Sequence, residues 1–307
     1  MENVWNIRPI QKKEAQNLVR KLDISPVIAT LLTNRGINNH GEAKRFLDCD
    51  LNDLHSPYLL KDMGKAIRRI KKAVSNKEKI MLFGDYDVDG ITGTTIMAKT
   101  IELIGGKTKY YFPDRLTEGY GLSKNAIDNA KKEKINLIIT IDCGISANKE
   151  ISYAKGKGID VIIIDHHEQI GSLPEAIAII DPEQKGCKYP YKKLAAVGVA
   201  FKVVQALIGE YDIDFDEFSF LDFVCLGTVA DVMPLDGENR IIVKNGLKQL
   251  MNTKNVGLKA LIEVSGLEGK EINSGYISFR LGPRINAAGR LTSADKVMRL
   301  FQTDSED

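Results

Sequence analysis

Three aspartates, Asp85, Asp87 and Asp89, alternate along Gly84-Asp85-Tyr-Asp87-Val-Asp89-Gly90. Further along the chain come Asp142-Cys-Gly144 and Asp165-His166-His167, the second holding two of the four histidines. Carboxylates gathered at one place repel one another, and burying them unpaired costs several kcal/mol, so cations have to compensate. Oxygen ligands joined by some imidazole suit manganese or magnesium better than zinc, which favours thiolate and imidazole. There are more candidate ligands than one ion needs. Two ions sharing a bridging carboxylate would use them all, and that arrangement is a standard device for hydrolysing phosphate esters.

Competing readings of these residues fail on spacing. Asp-x-Asp-x-Asp-Gly resembles the opening of a calcium-binding loop, but Ile96 occupies the twelfth position, where a bidentate Glu is required. Gly106-Lys107-Thr108 resembles the end of a phosphate-binding loop, but Ile101 stands where its first glycine belongs. The four cysteines (Cys49, Cys143, Cys187 and Cys225) show no CxxC spacing, which argues against both a thiolate zinc site and a disulfide scaffold.

Each acidic stretch follows a short apolar run. Ile80-Met-Leu-Phe83, Asn136-Leu-Ile-Ile-Thr-Ile141 and Val161-Ile-Ile-Ile164 read as strands, as do Lys109-Tyr-Tyr-Phe112 and Ala176-Ile-Ala-Ile-Ile180. Between them, helical patterns run over 91–104, 123–133 and 147–155. This alternation predicts an α/β fold: a parallel, Rossmann-like sheet covered by helices, with ligands bound beyond the carboxyl ends of the strands. Residues 1–75 read as a helical lead-in, 76–235 as the domain that carries the acidic groups, and 236–307 as a mainly helical segment. The turn-like Asp236-Gly237-Glu238-Asn239 marks the second boundary. The basic Arg68-Arg-Ile-Lys-Lys reads as a solvated helix face. The terminal Thr303-Asp-Ser-Glu-Asp follows an amphipathic stretch without a capping signal, which reads as a cut.

The bulk numbers bound the class. At 307 residues, 43% hydrophobic and 27% charged, the chain lies outside the disordered range. Its formal charge of +2 does not announce a polyanion partner, although a local basic groove remains compatible with one. No run of 18 apolar residues and no secretory pattern at Met1-Glu-Asn occur, so the expected compartment is the cytoplasm, with no membrane partner.

The three acidic stretches resemble the first three motifs of the DHH superfamily of phosphoesterases. Four others sharpen the match towards its RecJ-type branch: Phe112-Pro-Asp-Arg115-Leu-Thr-Glu-Gly119-Tyr-Gly121-Leu, Ala196-Val-Gly198-Val-Ala-Phe-Lys202, Gly227-Thr-Val-Ala-Asp231-Val-Met-Pro-Leu235 and Arg280-Leu-Gly282-Pro-Arg284-Ile-Asn286-Ala-Ala-Gly289-Arg290-Leu. The resemblance implies two Mn2+ or Mg2+ ions per site. Asp142 would bridge them; Asp87 would hold one, and Asp89, His166 and Asp231 the other. Asp85 would assist as a ligand or as an acceptor just behind the ligands. Asp165 would orient the neighbouring imidazole, and His167 would face the scissile phosphate. Arg115 and Arg284 would take a terminal 5′-phosphate, for which a planar guanidinium fork is suited. Asn286 and Arg290 would either support that pocket or shape a tight Gly-rich turn.

The implied activity is metal-dependent 5′→3′ hydrolysis of single-stranded DNA to 5′-mononucleotides in repair and recombination. The implied partners are single-stranded DNA with a 5′ end, a helicase and a single-strand-binding protein. Alternatives within the family are a phosphodiesterase for short oligonucleotides or cyclic dinucleotides, and a non-catalytic scaffold. Two departures stand out. Phe83 occupies a position where many family members place a metal-binding His, which leaves the first metal to Asp85 and water. No Gly-Gly-His signature occurs before Asp307, so the DHHA1 domain that would grip the strand is expected to be missing.

Overall fold

The computed structural model describes residues 11–114, 118–291 and 293–306, with backbone alone at 290 and 291. These residues divide into two compact units between Leu54 and His55. In the first, helices α1 (Lys12–Leu22), α2 (Pro26–Asn34) and α3 (His40–Asp48) close on a small core of Leu18, Ala29, Leu32 and Ala43. Ser25 and Asn39 cap α2 and α3 by accepting from the amides of Ile28 and Glu42.

The second unit has α4 (Met63–Ser75) as its first α-helix and is built on five parallel strands: β1 (Ile80–Gly84), β2 (Thr108–Tyr111), β3 (Leu137–Ile141), β4 (Asp160–Ile164) and β5 (Ala178–Ile180). Their order across the sheet is β2-β1-β3-β4-β5. The central strands are buried and mostly apolar because both faces are covered. On one face lie α5 (Val88–Leu103), α8 (Ala196–Tyr211) and α9 (Leu221–Ala230), packed against one another. α5 is buried on almost every side, so it carries apolar residues all round instead of a stripe. Over the other face, α6 (Lys124–Lys132) and α7 (Asn148–Gly156) bury Ile127, Ala130, Ile151 and Ala154 against Met81, Phe83, Ile138 and Ile163.

Four helices follow: α10 (Gly237–Leu250), α11 (Val256–Val264), the single turn α12 (Ser274–Tyr276) and α13 (Gly282–Leu291). A turn with π-type hydrogen bonding, Ile277–Leu281, joins α12 to α13, and α14 (Ala294–Gln302) is the last element of the described chain.

The expected strands and their intervening helices are present, and the sheet is parallel as read. Other expectations need correction. Asp236-Gly237-Glu238-Asn239, turn-like in sequence, opens a helix: Asp236 is the residue before α10, where Glu238 and Asn239 are buried. Arg68–Lys72 is not a purely solvated face. Arg69 turns inward to Glu78 (2.7 Å) and Asp160 (2.5 Å), tying α4 to the starts of β1 and β4. α4 itself packs on β5 and α8, inside the second unit.

Candidate metal centre

Register sets the site. Gly84 pairs with Ile141, Ile141 with Ile164, and Ile164 with Ile180, so four neighbouring strands end level. The residue after each end is an aspartate: Asp85, Asp142, Asp165 and Asp181. The ladder runs one step further through Asp85 N–H to Ile141 O, Asp142 N–H to Ile164 O, and Asp165 N–H to Ile180 O (3.1, 3.0 and 3.1 Å). β1 and β3 flank the point where the strand order reverses, which in open α/β sheets is where ligands bind.

Local chemistry then aims each group. Beyond β1 the chain turns at once into α5, and Asp87 caps that helix by accepting from Gly90 N–H at 3.0 Å. Gly90 is needed here, since a Cβ would lie 2.4 Å from the Asp85 carbonyl oxygen. Asp89, in the first turn of α5, accepts from the amides of Ala196 (2.7 Å) and Val197 (2.8 Å), which open α8. The positive end of α8 thus holds a fully buried carboxylate, which explains the Ala196-Val-Gly198 stretch. Asp142 sits in the left-handed region (φ 64°), an uncommon conformation for a non-glycine residue, and Tyr120 Oη donates to its carbonyl at 2.9 Å. Asp231 caps the carboxyl end of α9 and precedes Val232, itself left-handed at φ 59°.

These side chains converge. His166 Nε2 lies 3.2 Å from Asp142 Oδ1 and 3.8 Å from both Asp89 Oδ2 and Asp231 Oδ2. Three groups each offer ligand atoms within 4.8 Å of one another: Asp85–Asp87–Asp142, Asp89–His166–Asp231 and Asp142–His166–His167. Asp142 belongs to two of them and borders the third through His166. The first two groups make a set of carboxylates with one imidazole, a donor chemistry that fits hard divalent ions such as Mn2+ or Mg2+.

The electrostatics point the same way. Burial, reinforced by the neighbouring carboxylates, pushes Asp89 and Asp142 well above the usual range, and burial raises Asp231 to about 6. Burial together with the neighbouring His167 charge lowers His166 to about 4. It is therefore neutral at pH 7 with a lone pair to offer, and its 3.2 Å approach to Asp142 is not an ion pair there. Without a cation the cluster is an electrostatic cost, and divalent ions would relieve it.

His167 differs from its neighbour. Its ring Nδ1 lies 2.7 Å from Asp165 Oδ1, and that hydrogen bond raises its pKa to about 9. The imidazole that Asp165 holds is therefore His167. Tyr120 meets the His167 ring edge-on, with centroids 6.2 Å apart. Sequence reasoning singles out neither Tyr120 nor Asp181. The apolar run ending at Ile180 is the available signal for Asp181, which burial raises to about 7.

Among the phosphate-contact candidates, Arg115 lies outside the described residues, as does the side chain of Arg290. Arg284 is exposed on α13 and donates to the Arg280 carbonyl of the preceding turn (2.9 Å). The Gly-rich turn expected at Asn286 and Arg290 is helical instead. Asn286 Oδ1 accepts from Val88 N–H at 3.1 Å, reaching the acidic loop itself. Phe83 is fully buried and stacks on Tyr111 (5.5 Å between centroids), on the core side of β1.

Comparison with known proteins adds kinship to this geometry. Residues 79–228 match the model of the DHH family, N-terminal domain. The single-stranded-DNA-specific exonuclease RecJ of Bacillus subtilis is 43% identical over 300 residues, which cover 98% of this chain and 38% of that protein. The chain thus spans well under half the length of that relative. Among solved structures, RecJ from Thermus thermophilus in complex with Mn2+ aligns with a TM-score of 0.82 at 29% identity, covering 98% of this chain and 42% of the other. An exonuclease RecJ bound to manganese aligns with a TM-score of 0.73 at 34% identity, covering 80% and 62%.

Proposed function

The chain belongs to the DHH family, and from that premise we propose that it is a metal-dependent 5′→3′ exonuclease hydrolysing single-stranded DNA to 5′-mononucleotides. The observation that carries this reading is the meeting of Asp89, Asp142, Asp231 and a neutral His166 around one spot, with Asp85 and Asp87 against the other side of Asp142. Asp85, Asp87 and Asp142 would hold one Mn2+ or Mg2+ ion, and Asp89, His166 and Asp231, with Asp142 shared between the two sets, would hold the other. When bound, such ions lower the pKa of a coordinated water and offset the charge that builds on the phosphate.

The chain's own groups do the rest. His167, held protonated by Asp165, donates to a non-bridging phosphate oxygen and stabilises the charge developing there. The amides of Ala196 and Val197 keep Asp89 aimed inward. Arg115, Arg284 and Arg290 take the terminal 5′-phosphate and so fix the polarity of digestion. In this reading 76–235 is the catalytic domain, and the segment after it contributes α13, which packs on α5 and α9. The setting is DNA repair and recombination in the cytoplasm, with a helicase and a single-strand-binding protein supplying and covering the strand.

The test is release of mononucleotides from 5′-phosphorylated single-stranded DNA in Mn2+, with Asp142→Ala as control. Strand degradation abolished by that substitution supports the proposal. Turnover confined to dinucleotides or cyclic dinucleotides moves the substrate to those molecules. Absence of specific Mn2+ uptake by calorimetry would identify a scaffold instead.

A further inference from the structure

Helix α13 carries two residues that meet the acidic loop directly. A Cβ added at Gly289 would lie 2.6 Å from the Tyr86 carbonyl oxygen, so only glycine lets the helix backbone come this close to the peptide between Asp85 and Asp87. One turn earlier, Asn286 Oδ1 accepts from Val88 N–H at 3.1 Å. Val88 opens α5, and its amide is among those at a helix start that no intrahelical carbonyl can reach. Asp87 satisfies Gly90 N–H. The Val88 amide is served by a side chain 198 residues away. Buried Ile277, Leu281 and Ile285 anchor the segment, and α13 packs on both α5 and α9.

We propose that Asn286 is a positioning residue for the metal centre: its carbonyl fixes the Asp87–Val88 peptide and, through it, the direction of the Asp87 and Asp89 carboxylates. This deepens the metal-dependent reading above and rests on it. It differs from the role expected for Asn286 from sequence: Oδ1 is spent on the acidic loop, and a phosphate, itself an acceptor, would have to be met by the Nδ2 donors.

Three proteins are titrated calorimetrically with Mn2+ alone and assayed on strands with a 5′-phosphate or a 5′-hydroxyl: the unsubstituted chain, Asn286→Ala and Asn286→Asp. Substitutions behind metal ligands cost about 10–100-fold in affinity, so Asn286→Ala should weaken Mn2+ uptake by that factor. Asn286→Asp keeps the acceptor and should restore uptake to within about threefold while keeping the preference for a 5′-phosphate. Two results would overturn the proposal. One is unchanged Mn2+ affinity in Asn286→Ala; the other is loss of 5′-phosphate preference in Asn286→Asp with uptake intact, the signature of a phosphate contact. If Asn286→Ala does not fold, Asn286→Asp still decides by that second result. Absence of uptake in the unsubstituted chain would remove the metal reading and this inference together, and is told apart by that control.

Discussion

Asp165 holds His167 at two points: its Oδ1 accepts from the His167 backbone amide (3.2 Å) and lies 2.7 Å from the ring Nδ1, and it also accepts from the His166 amide (2.8 Å). Oδ2 takes the Ile145 amide at 3.0 Å, so the carboxylate is fully engaged behind the ring. Burial alone would raise Asp165, but these hydrogen bonds and the His167 charge bring it below its ordinary value, while His167 rises to about 9. For a histidine raised from 6.5 to about 9, the stabilisation is complete below pH 6.5 and is lost as pH rises through 9. Asp165 contributes above the ordinary carboxylate range and loses its contribution under acid. Substituting Asp165→Asn should return the His167 pKa towards 6.5, read by NMR titration of the ring protons in metal-free protein. It should also flatten the loss of thermal stability between pH 7 and about 9. An unmoved ring pKa would contradict this coupling.

The crowded carboxylates predict that the metal-free protein is strained at Asp142. Burial and the neighbouring charges raise that group, so the folded state holds its proton more tightly than the unfolded chain and stability falls as pH rises above the ordinary carboxylate range. Asp142→Asn removes this cost. In chelator near neutral pH the variant should melt higher than the parent, by roughly 2–4 °C per kcal/mol relieved in a chain of this size. Added Mn2+ should raise the melting temperature of the parent and leave the variant unmoved, because only the parent binds it. A variant that melts lower in chelator would refute the repulsion argument.

The sheet and the groups at its strand ends are legible because they rest on local patterns: apolar runs, a following aspartate, and helical spacing between them. Asp181 obeys the same rule and escapes notice because no motif follows it. The supports of the site are not legible, since they join distant segments. Nothing near Asp89 announces that the amides of Ala196 and Val197 will receive it, and nothing near Asn286 announces Val88. The Gly-rich look of 282–291 suggests a turn, but its glycines serve close packing within a helix. Asp236–Asn239 misleads in the same way, because a helix start and a loop use the same small and acidic residues.

Gly227 tests how closely α9 must approach the metal ligands. A Cβ there would lie 2.5 Å from Thr92 Oγ1, 2.8 Å from Val197 Cγ1 and 3.1 Å from Asp89 Oδ1. α5, α8 and α9 all meet at this point, so no neighbour has room to yield. Overpacking of this kind costs about 1–3 kcal/mol. Gly227→Ala should lower the urea midpoint accordingly and weaken Mn2+ uptake, since the new methyl presses on the carboxylate itself. Unchanged uptake would mean that Asp89 relaxes freely and that α9 does not set its position.

The last prediction concerns a charge pair remote from the chemistry. Lys202 on α8 is fully buried, with Nζ 2.8 Å from Glu238 Oε1 on α10 and 3.0 Å from the His55 carbonyl. Glu238 also accepts from His55 N–H (2.9 Å) and from Tyr189 Oη (2.6 Å), so one carboxylate joins the start of the second unit to two of its helices. Burial lowers the Lys202 pKa despite the attraction of Glu238, which shows that desolvation dominates the lysine. Such a pair adds little net stability compared with an apolar replacement, yet removing one partner strands a buried charge at a cost of about 3–5 kcal/mol. Lys202→Met alone should therefore lower the urea unfolding free energy by that amount at unchanged slope. Lys202→Met combined with Glu238→Gln should recover much of it, because the amide keeps an acceptor for His55 and leaves no charge behind. Equal losses in the single and double variants would mean that the helices are joined by packing at this point, and that the charges contribute nothing specific.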